Sequence, residues 1–459
     1  MRAQPVILVF DVGKTNKKIV LFDQQYHLVH EESVHLNEVT DEDNFPCENL
    51  EALIHFVQSS FEKILSKKEF NIRACNFSGY GASFVCVDDK GKTVAPLYNY
   101  LKPYPEDLRE KFYEAYGGSE AFCQRTASPL LGSLNSGMQL YRLKYEKPQV
   151  FASIVHALHL PQFLSFVLTG RSVSEITSIG CHTNLWDFRN SNYHEWVNRE
   201  GILSRFPEIV PGDTCVEVRY HGQSVCVGVG LHDSSAALIP YLASYHEPFV
   251  LLSTGTWCIS LNPFNNTPLT SDELKNDCLC YLTHQGKPVK ASRLFAGHEH
   301  DQQLKRLTEH FHISPDQFTD LSFEETLNGG LSAGTLSEKL RTQEEMKSFD
   351  QIDLHQFPSH REAYLGLMLD IIQKQVTSTK LVLAGSRVKR IFVDGGFSRN
   401  SIYMNLLNVA FPEIEVSAAS VPQASALGAA LIMHRHWNER PLPSNLMDLK
   451  RYSMKTKAV

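Results

Sequence analysis

Four short strings carry the side chains with most to offer chemically. The first is Asp11-Val12-Gly13-Lys14-Thr15-Asn16-Lys17-Lys18, which follows an apolar run ending at Phe10. A carboxylate at the end of a buried strand, then a glycine turn with hydroxyl, amide and lysine side chains, suits two tasks. Backbone N–H groups with Thr15 and Asn16 can hold phosphate oxygens, while Lys17 or Lys18 neutralises charge. Asp11 can hold a hydrated Mg2+, a hard cation that prefers carboxylate and water ligands. The string reads equally as an ordinary hairpin turn, with Asp and Gly present for geometry.

The second string, Ser253-Thr254-Gly255-Thr256-Trp257, joins two apolar runs and offers hydroxyls and a glycine to phosphate oxygens without any basic residue. A solvent-facing hairpin is the plainer alternative. In the third, Asp394-Gly395-Gly396-Phe397-Ser398-Arg399-Asn400, paired glycines let the backbone approach a flat ligand, and the helix start that follows favours negative charge. The fourth is Gly230-Leu231-His232-Asp233. There Asp233 reads either as a helix N-cap or as a general base for a substrate hydroxyl.

Several familiar signatures are missing. The sequence contains no GxxxxGK[ST], GxGxxG, HRD or DFG string, which argues against P-loop, dinucleotide and protein-kinase readings. His298-Glu299-His300-Asp301 looks like a metal cluster, but its histidines are i, i+2 and leave one helix face. With 20 histidines in the chain, chance clustering explains it better.

The elements that must hold these strings follow from periodicity. The chain opens with a strand, a polar turn and a second strand. Leu50, Leu53, Ile54, Val57, Phe61, Ile64 and Leu65 then mark the buried stripe of a helix. The segment 73–92 reads as strand, glycine turn, strand and hairpin turn, residues 106–170 as mainly helical, and 224–243 as strand, turn and helix. A similar opening recurs at residue 249: apolar strand, hydroxyl-rich turn, second strand. Tyr364, Leu367, Met368, Ile371, Ile372 and Val376 form another helical stripe before the strand of Arg390–Val393. The order of parts is therefore repeated, which places two units at 1–244 and 245–435, followed by a polar surface tail at 436–459.

The 459 residues carry 44 basic and 51 acidic side chains, for a net charge of −7. That balance lacks the basic footprint of a general nucleic-acid binder. With 42% apolar content the chain can bury sizeable cores, and no apolar run reaches the roughly 18–20 residues that span a bilayer. A soluble, cytoplasmic protein without nucleic-acid or membrane partners is expected, as a monomer or homodimer. The ten cysteines are scattered, mostly in apolar runs, and are expected to be reduced and buried.

Taken together, the strings resemble the FGGY family of carbohydrate kinases, over nearly the whole chain up to about Met433. DVGKTNKK is similar to the family's first phosphate hairpin, GLHDSSAA to the segment with its catalytic aspartate, and STGTW to its second phosphate turn. VDGGFSRNSIYMNLL and QASALGAAL resemble its adenosine-side segment, and LHLPQFLSFVLTGR its LPDYL…LTG stretch. The resemblance implies an α/β chain of two actin-like (ribonuclease H-like) ATPase domains with a cleft between them. It implies ATP and Mg2+ as cofactors and a sugar as substrate.

Residue by residue, the resemblance implies that Asp11 positions Mg2+ and that Thr15, Asn16 and Lys18 handle the transferred phosphate. Gly255 and Thr256 would contact ATP phosphates, Gly395, Gly396 and Asn400 would border the adenosine, and Asp233 would take the proton from the sugar hydroxyl. Tyr80 and Gly81 fall where the family places a sugar-contacting loop, although Tyr80 departs from the more common His or Arg. His232 before Asp233, and SRLFAGHEHDQQL in place of the usual second-domain signature, resemble the rhamnulose- and fuculose-kinase branch. A 6-deoxyketose phosphorylated at its primary hydroxyl is the expected substrate. Xylulose, another pentulose or a polyol is the alternative, and a non-catalytic nucleotide-dependent sugar sensor is the alternative of a different class.

Overall fold

In the computed structural model, residues 3–220, 222–319, 321, 323, 347–421 and 423–452 are described. The first half is built on β1 (Gln4–Val12), β2 (Lys17–Asp23) and β3 (Leu28–Val34), followed by α1 (Leu50–Leu65) and β4 (Phe70–Gly79). Val6–Phe10 is apolar without alternation because β1 is covered on both faces. It pairs antiparallel with β2 and parallel with β4, and Phe10 stacks on Phe77 across that pair. Helix α1 begins where the Asn49 side chain accepts the Ala52 N–H, and it buries Leu53, Phe56, Val57, Phe61 and Ile64 against this sheet.

Helices then dominate residues 106–153, but His156–His159 is a strand paired with Phe84–Val87. This corrects the helical reading there: the ladder to residues 84–87 takes the backbone hydrogen bonds before Pro161 opens α2 (Leu160–Thr169). The hairpin β5 (Cys215–Tyr220) and β6 (Gln223–Gly228), with the short β7 (Leu231–His232), completes a sheet of order β5-β6-β4-β1-β2-β3, with β7 beside the end of β4. Helix α3 (Asp233–Ser244) leaves directly from β7.

The second half repeats the plan. β8 (Phe249–Thr254) pairs antiparallel with β9 (Cys258–Asn262), which carries β11 (Pro288–Leu294) and then β10 (Cys278–Leu282). Helices α4 (Ala296–Phe311) and α5 (His360–Leu383) precede β12 (Arg390–Gly395), which pairs parallel with β8. After α6 (Ser401–Ala410) comes β13 (Glu415–Ser420), parallel to β12. In both halves three antiparallel strands are extended by a parallel strand on the side of the first of them. This is the two-domain actin-like fold.

The chain then crosses back. Helix α7 (Ala424–Ile432) follows the second sheet yet lies on the first half, where Asn76 donates to the Ala429 carbonyl at 2.7 Å. His434 bonds the Tyr26 hydroxyl, and Trp437 is buried beside Tyr26. Asp448–Tyr452 forms β14, an edge strand on β13. No described helix is long and apolar enough to cross a membrane. The cysteines depart from expectation at one place: Cys215 and Cys226 form a disulfide across β5 and β6, while the other eight are free and buried.

Candidate active site

The carboxyl ends of β1, β4 and β7 lie side by side. Asp11 is in register with Ser78 and Val12 with Gly79, while Leu231 and His232 flank the same two β4 residues. At about 4.8 Å per strand, Asp11 and the start of α3 are roughly 10 Å apart along the sheet edge. The two acids feel each other. Burial pushes the Asp11 carboxyl up from 3.8 to about 6, opposed by the 2.9 Å hydrogen bond from Ser425, and the Asp233 charge adds to the rise. Two partly compensated carboxylates on one edge form a donor set that suits a hard divalent cation.

The β1–β2 turn closes through Gly13 N–H donating to the Asn16 carbonyl at 3.0 Å, with Thr15 and Asn16 exposed. The two lysines that turn chemistry alone leaves equivalent part company here. Lys17 is buried, with its Nζ 2.7 Å from Glu48 and on the Lys14 carbonyl at 3.1 Å, so its charge is already spent. Lys18 is partly exposed, pairing with Glu31 at 3.3 Å and donating to Gln423 at 2.9 Å. Tyr80 is also committed, because its hydroxyl donates to Glu48 at 3.2 Å and the ring is buried against Tyr100. It supports the turn from behind.

Asp233 is the first residue of α3 and does not cap it from the preceding position. Its Oδ1 accepts the Ser234 N–H at 2.6 Å and lies 3.3 Å from His232 Nε2, and about a third of the side chain remains exposed. His232 is held by its backbone and its ring. Its N–H donates to Thr177 Oγ1 at 3.0 Å, and its ring stacks on Tyr281 of the second half. Burial lowers its pKa, which keeps the imidazole neutral near pH 7, while Asp233 opposes that shift. Gly81 makes room for the ring: a Cβ there would meet His232 Nε2 at 2.8 Å and Cδ2 at 2.9 Å. Behind Thr177 stands Glu175, fully buried, whose carboxyl burial pushes up to about 7 although it accepts the Thr177 N–H at 2.9 Å.

The second half presents a different surface. Gly255, Thr256, Gly396 and Asn400 line one cavity of about 460 Å3, together with Gly297, His300, Asp301, Tyr364, Phe397 and Arg399. Thr254 ties its two turns together: its carbonyl accepts the Gly396 N–H at 2.8 Å, and its hydroxyl accepts the Phe397 N–H at 3.0 Å. Gly395 has φ +89°, and a Cβ on it would stand 1.8 Å from the Thr254 carbonyl oxygen, so only glycine fits. Asn400 caps α6 through the Tyr403 N–H and donates to the Tyr364 hydroxyl at 2.8 Å, which His300 Nε2 meets at 3.1 Å.

The apparent metal cluster is dispersed by these contacts. His298 bonds Gln302, Glu299 pairs with Lys374, and His300 turns to Tyr364 in the cavity wall. Sequence reading missed His300, Asp301, Tyr364 and Arg399 as cavity residues, and it missed Tyr281 as the platform under His232. Tyr364 had a signal, the helical stripe, but that pattern reports a buried ring and not the hydroxyl at its tip.

Comparison with known proteins matches this architecture. Rhamnulokinase from Yersinia pestis (strain Pestoides F) is 25% identical over 292 residues, covering 58% of this chain and 56% of that protein. The aligned part thus spans little more than half of the rhamnulokinase. A carbohydrate kinase from Novosphingobium aromaticivorans has a similar structure, with TM-score 0.78 and 24% identity over 98% of this chain and 94% of its own. Xylulose kinase from Rhodospirillum rubrum superposes with TM-score 0.77 at 15% identity, over 95% and 91% of the two chains. Residues 6–238 match the N-terminal domain, and residues 246–441 the C-terminal domain, of the FGGY carbohydrate kinases, so the chain belongs to the FGGY family of carbohydrate kinases.

Proposed function

We propose that the chain is an ATP-dependent sugar kinase whose halves divide the work, residues 1–244 holding the sugar and the base and residues 245–435 the nucleotide. The observation that carries this reading is the convergence of Gly255, Thr256, Gly396 and Asn400, from two distant turns, on one cavity. Its glycine backbone, aromatic and amide walls and Arg399 suit an adenosine with its phosphates. Phosphoryl transfer asks mainly for positioning and charge stabilisation. Asp233 accepts the proton of the sugar hydroxyl as that oxygen bonds to phosphorus and the bond to the ADP oxygen breaks. His232 is held neutral beside it and orients the carboxylate. Thr15, Asn16 and Lys18 face the transferred group from the first turn. Asp11, its carboxyl raised by burial beside Asp233, would hold a Mg2+ ion, which would neutralise charge on the phosphates.

The sugar we assign is a 6-deoxyketose, L-rhamnulose or L-fuculose, phosphorylated at its primary hydroxyl in the cytoplasm. His232 next to Asp233, seated on Gly81 and Tyr281, supports this choice, as does the likeness to rhamnulokinase. An ADP-release assay across ketoses and polyols tests it. Fastest turnover is expected with L-rhamnulose or L-fuculose; best turnover with xylulose or glycerol overturns the substrate, and sugar-independent hydrolysis overturns the kinase.

A further inference from the structure

On the far side of β5 and β6 from the cleft, a second group of chemically capable side chains has no part in the reaction described above. Cys215 and Glu217 share one face of β5, and Cys226 lies across from Glu217, so the two cysteines are diagonal neighbours on that face. His436 arrives from the segment after α7, which comes from the second half of the chain. The two Sγ atoms and one imidazole nitrogen of His436 all lie within 4.8 Å of one another, and they are the only such metal-binding group among the described residues. They line an open cavity of about 660 Å3 with Arg73, Glu217 and Ser224.

The orientation of His436 is the informative detail. Its Nε2 is 2.7 Å from the Asp213 carbonyl, an acceptor only, so Nε2 carries the proton. Nδ1 therefore presents a lone pair, and it points at Cys215 Sγ from 3.5 Å. A metal-binding histidine is held in this way, with its second nitrogen donating to a carbonyl that fixes tautomer and ring plane. In a cytosolic enzyme, paired cysteines with a histidine more often bind metal or do redox chemistry than serve as a structural crosslink.

We propose that Cys215, Cys226 and His436 form a zinc site that opens when the Cys215–Cys226 disulfide is reduced. A dithiol reductant delivers two electrons and two protons, breaks the S–S bond and leaves as its own disulfide. Zn2+ then displaces both thiol protons to solvent and forms two bonds to sulfur and one to Nδ1, with water from the open cavity as the fourth ligand. Ligand atoms in such a tetrahedron stand about 3.5–4 Å apart, and Cys215 Sγ and His436 Nδ1 already stand at 3.5 Å. The site would pin the segment that returns from the second half onto the first-half hairpin, next to the Arg435–Asp213 ion pair.

The test uses the full chain, reduced with a dithiol, freed of it without oxygen, and titrated with Zn2+ against a chromogenic chelator. One zinc per chain is expected in the reduced protein and none in the oxidised protein. Co2+ in place of zinc should give a thiolate-to-cobalt charge-transfer band that Cys215→Ser and Cys226→Ser remove. His436→Ala should weaken zinc binding at least ~10-fold while the oxidised variant melts as the wild type does. Reduced wild type that takes up no zinc overturns the assignment. So does uptake that persists unchanged without His436, which remains a test even if the serine variants fold poorly.

Discussion

The two halves share a sheet topology but not a chemistry. At the edge of the first sheet, acids and bases are crowded and largely buried: Asp11, Asp233, His232, Glu175 and the Lys17–Glu48 pair. At the matching edge of the second sheet, glycines, a threonine and an asparagine form an open cavity with few charges. A fold used twice thus supplies the same scaffold for opposite purposes. In the proposed reading the first edge handles a proton and a cation, which need fixed charges in a place of restricted solvent. In the same reading the second receives a large anion with a flat base, which needs backbone access and room.

The sharpest break in this comparison is Asp233→Asn. If the first edge carries the chemistry, turnover should fall ~100- to 10,000-fold. Nucleotide affinity, measured by calorimetry with ADP, should stay within about twofold. Loss of both together would mean that the halves do not divide the work.

Charge burial predicts the next effect, confined to the first half. Glu175 titrates at about 7 when folded against 4.5 for its ordinary value, so between those pH values the native state keeps a proton the unfolded chain has lost. Its contribution to stability is full below pH 4.5, falls as pH rises to about 7, and is constant above. The loss is ~1.4 kcal/mol per pH unit at most, or about 3 kcal/mol over the window. Glu175→Gln should be least stable relative to wild type at pH 4.5, with the difference shifting in its favour up to pH 7 and levelling beyond. Urea unfolding at four pH values measures this, and a pH-independent difference contradicts it.

Gly395→Ala probes the second edge. The methyl group must move the Thr254 carbonyl or force the backbone from φ +89°, at a cost of about 1–3 kcal/mol. ADP affinity should fall by that amount while sugar binding, read in the absence of nucleotide, is unchanged. The smallest effect is expected from Gly81→Ala, which pushes the His232 ring off its place. A rise of about tenfold in sugar KM with little change in ADP affinity is the expected pattern, equivalent to ~1.4 kcal/mol. Equal effects on both ligands would argue that Gly81 acts through the fold.

How far the sequence carries these conclusions depends on the range of the interaction. Strands, turns and the α1 and α5 stripes are local patterns, and they are legible because burial repeats every two or 3.6 residues. The cavity glycines are legible for the same reason, since a strand ending in paired glycines needs no distant partner to be noticed. Turn chemistry alone leaves Lys17 and Lys18 equivalent and only the family resemblance singles out Lys18, because the buried partner of Lys17 is Glu48 on another segment. Tyr281 was invisible as the platform for His232, since 49 positions and a domain boundary separate them. The strand at His156–His159 was lost inside helical surroundings, because its partner at Phe84–Val87 is remote. Cys215 and Cys226 sit in different runs, and only the hairpin register brings them together.

The central claim is that nucleotide and sugar meet from opposite edges, with the acceptor hydroxyl at Asp233. A crystal structure with ADP, Mg2+ and L-rhamnulose or L-fuculose tests it most directly. The account predicts the adenosine between Gly396, Asn400 and Tyr364, and the primary hydroxyl of the sugar within hydrogen-bond distance of Asp233. A nucleotide seated elsewhere, or a sugar whose hydroxyls all turn away from Asp233, would contradict it.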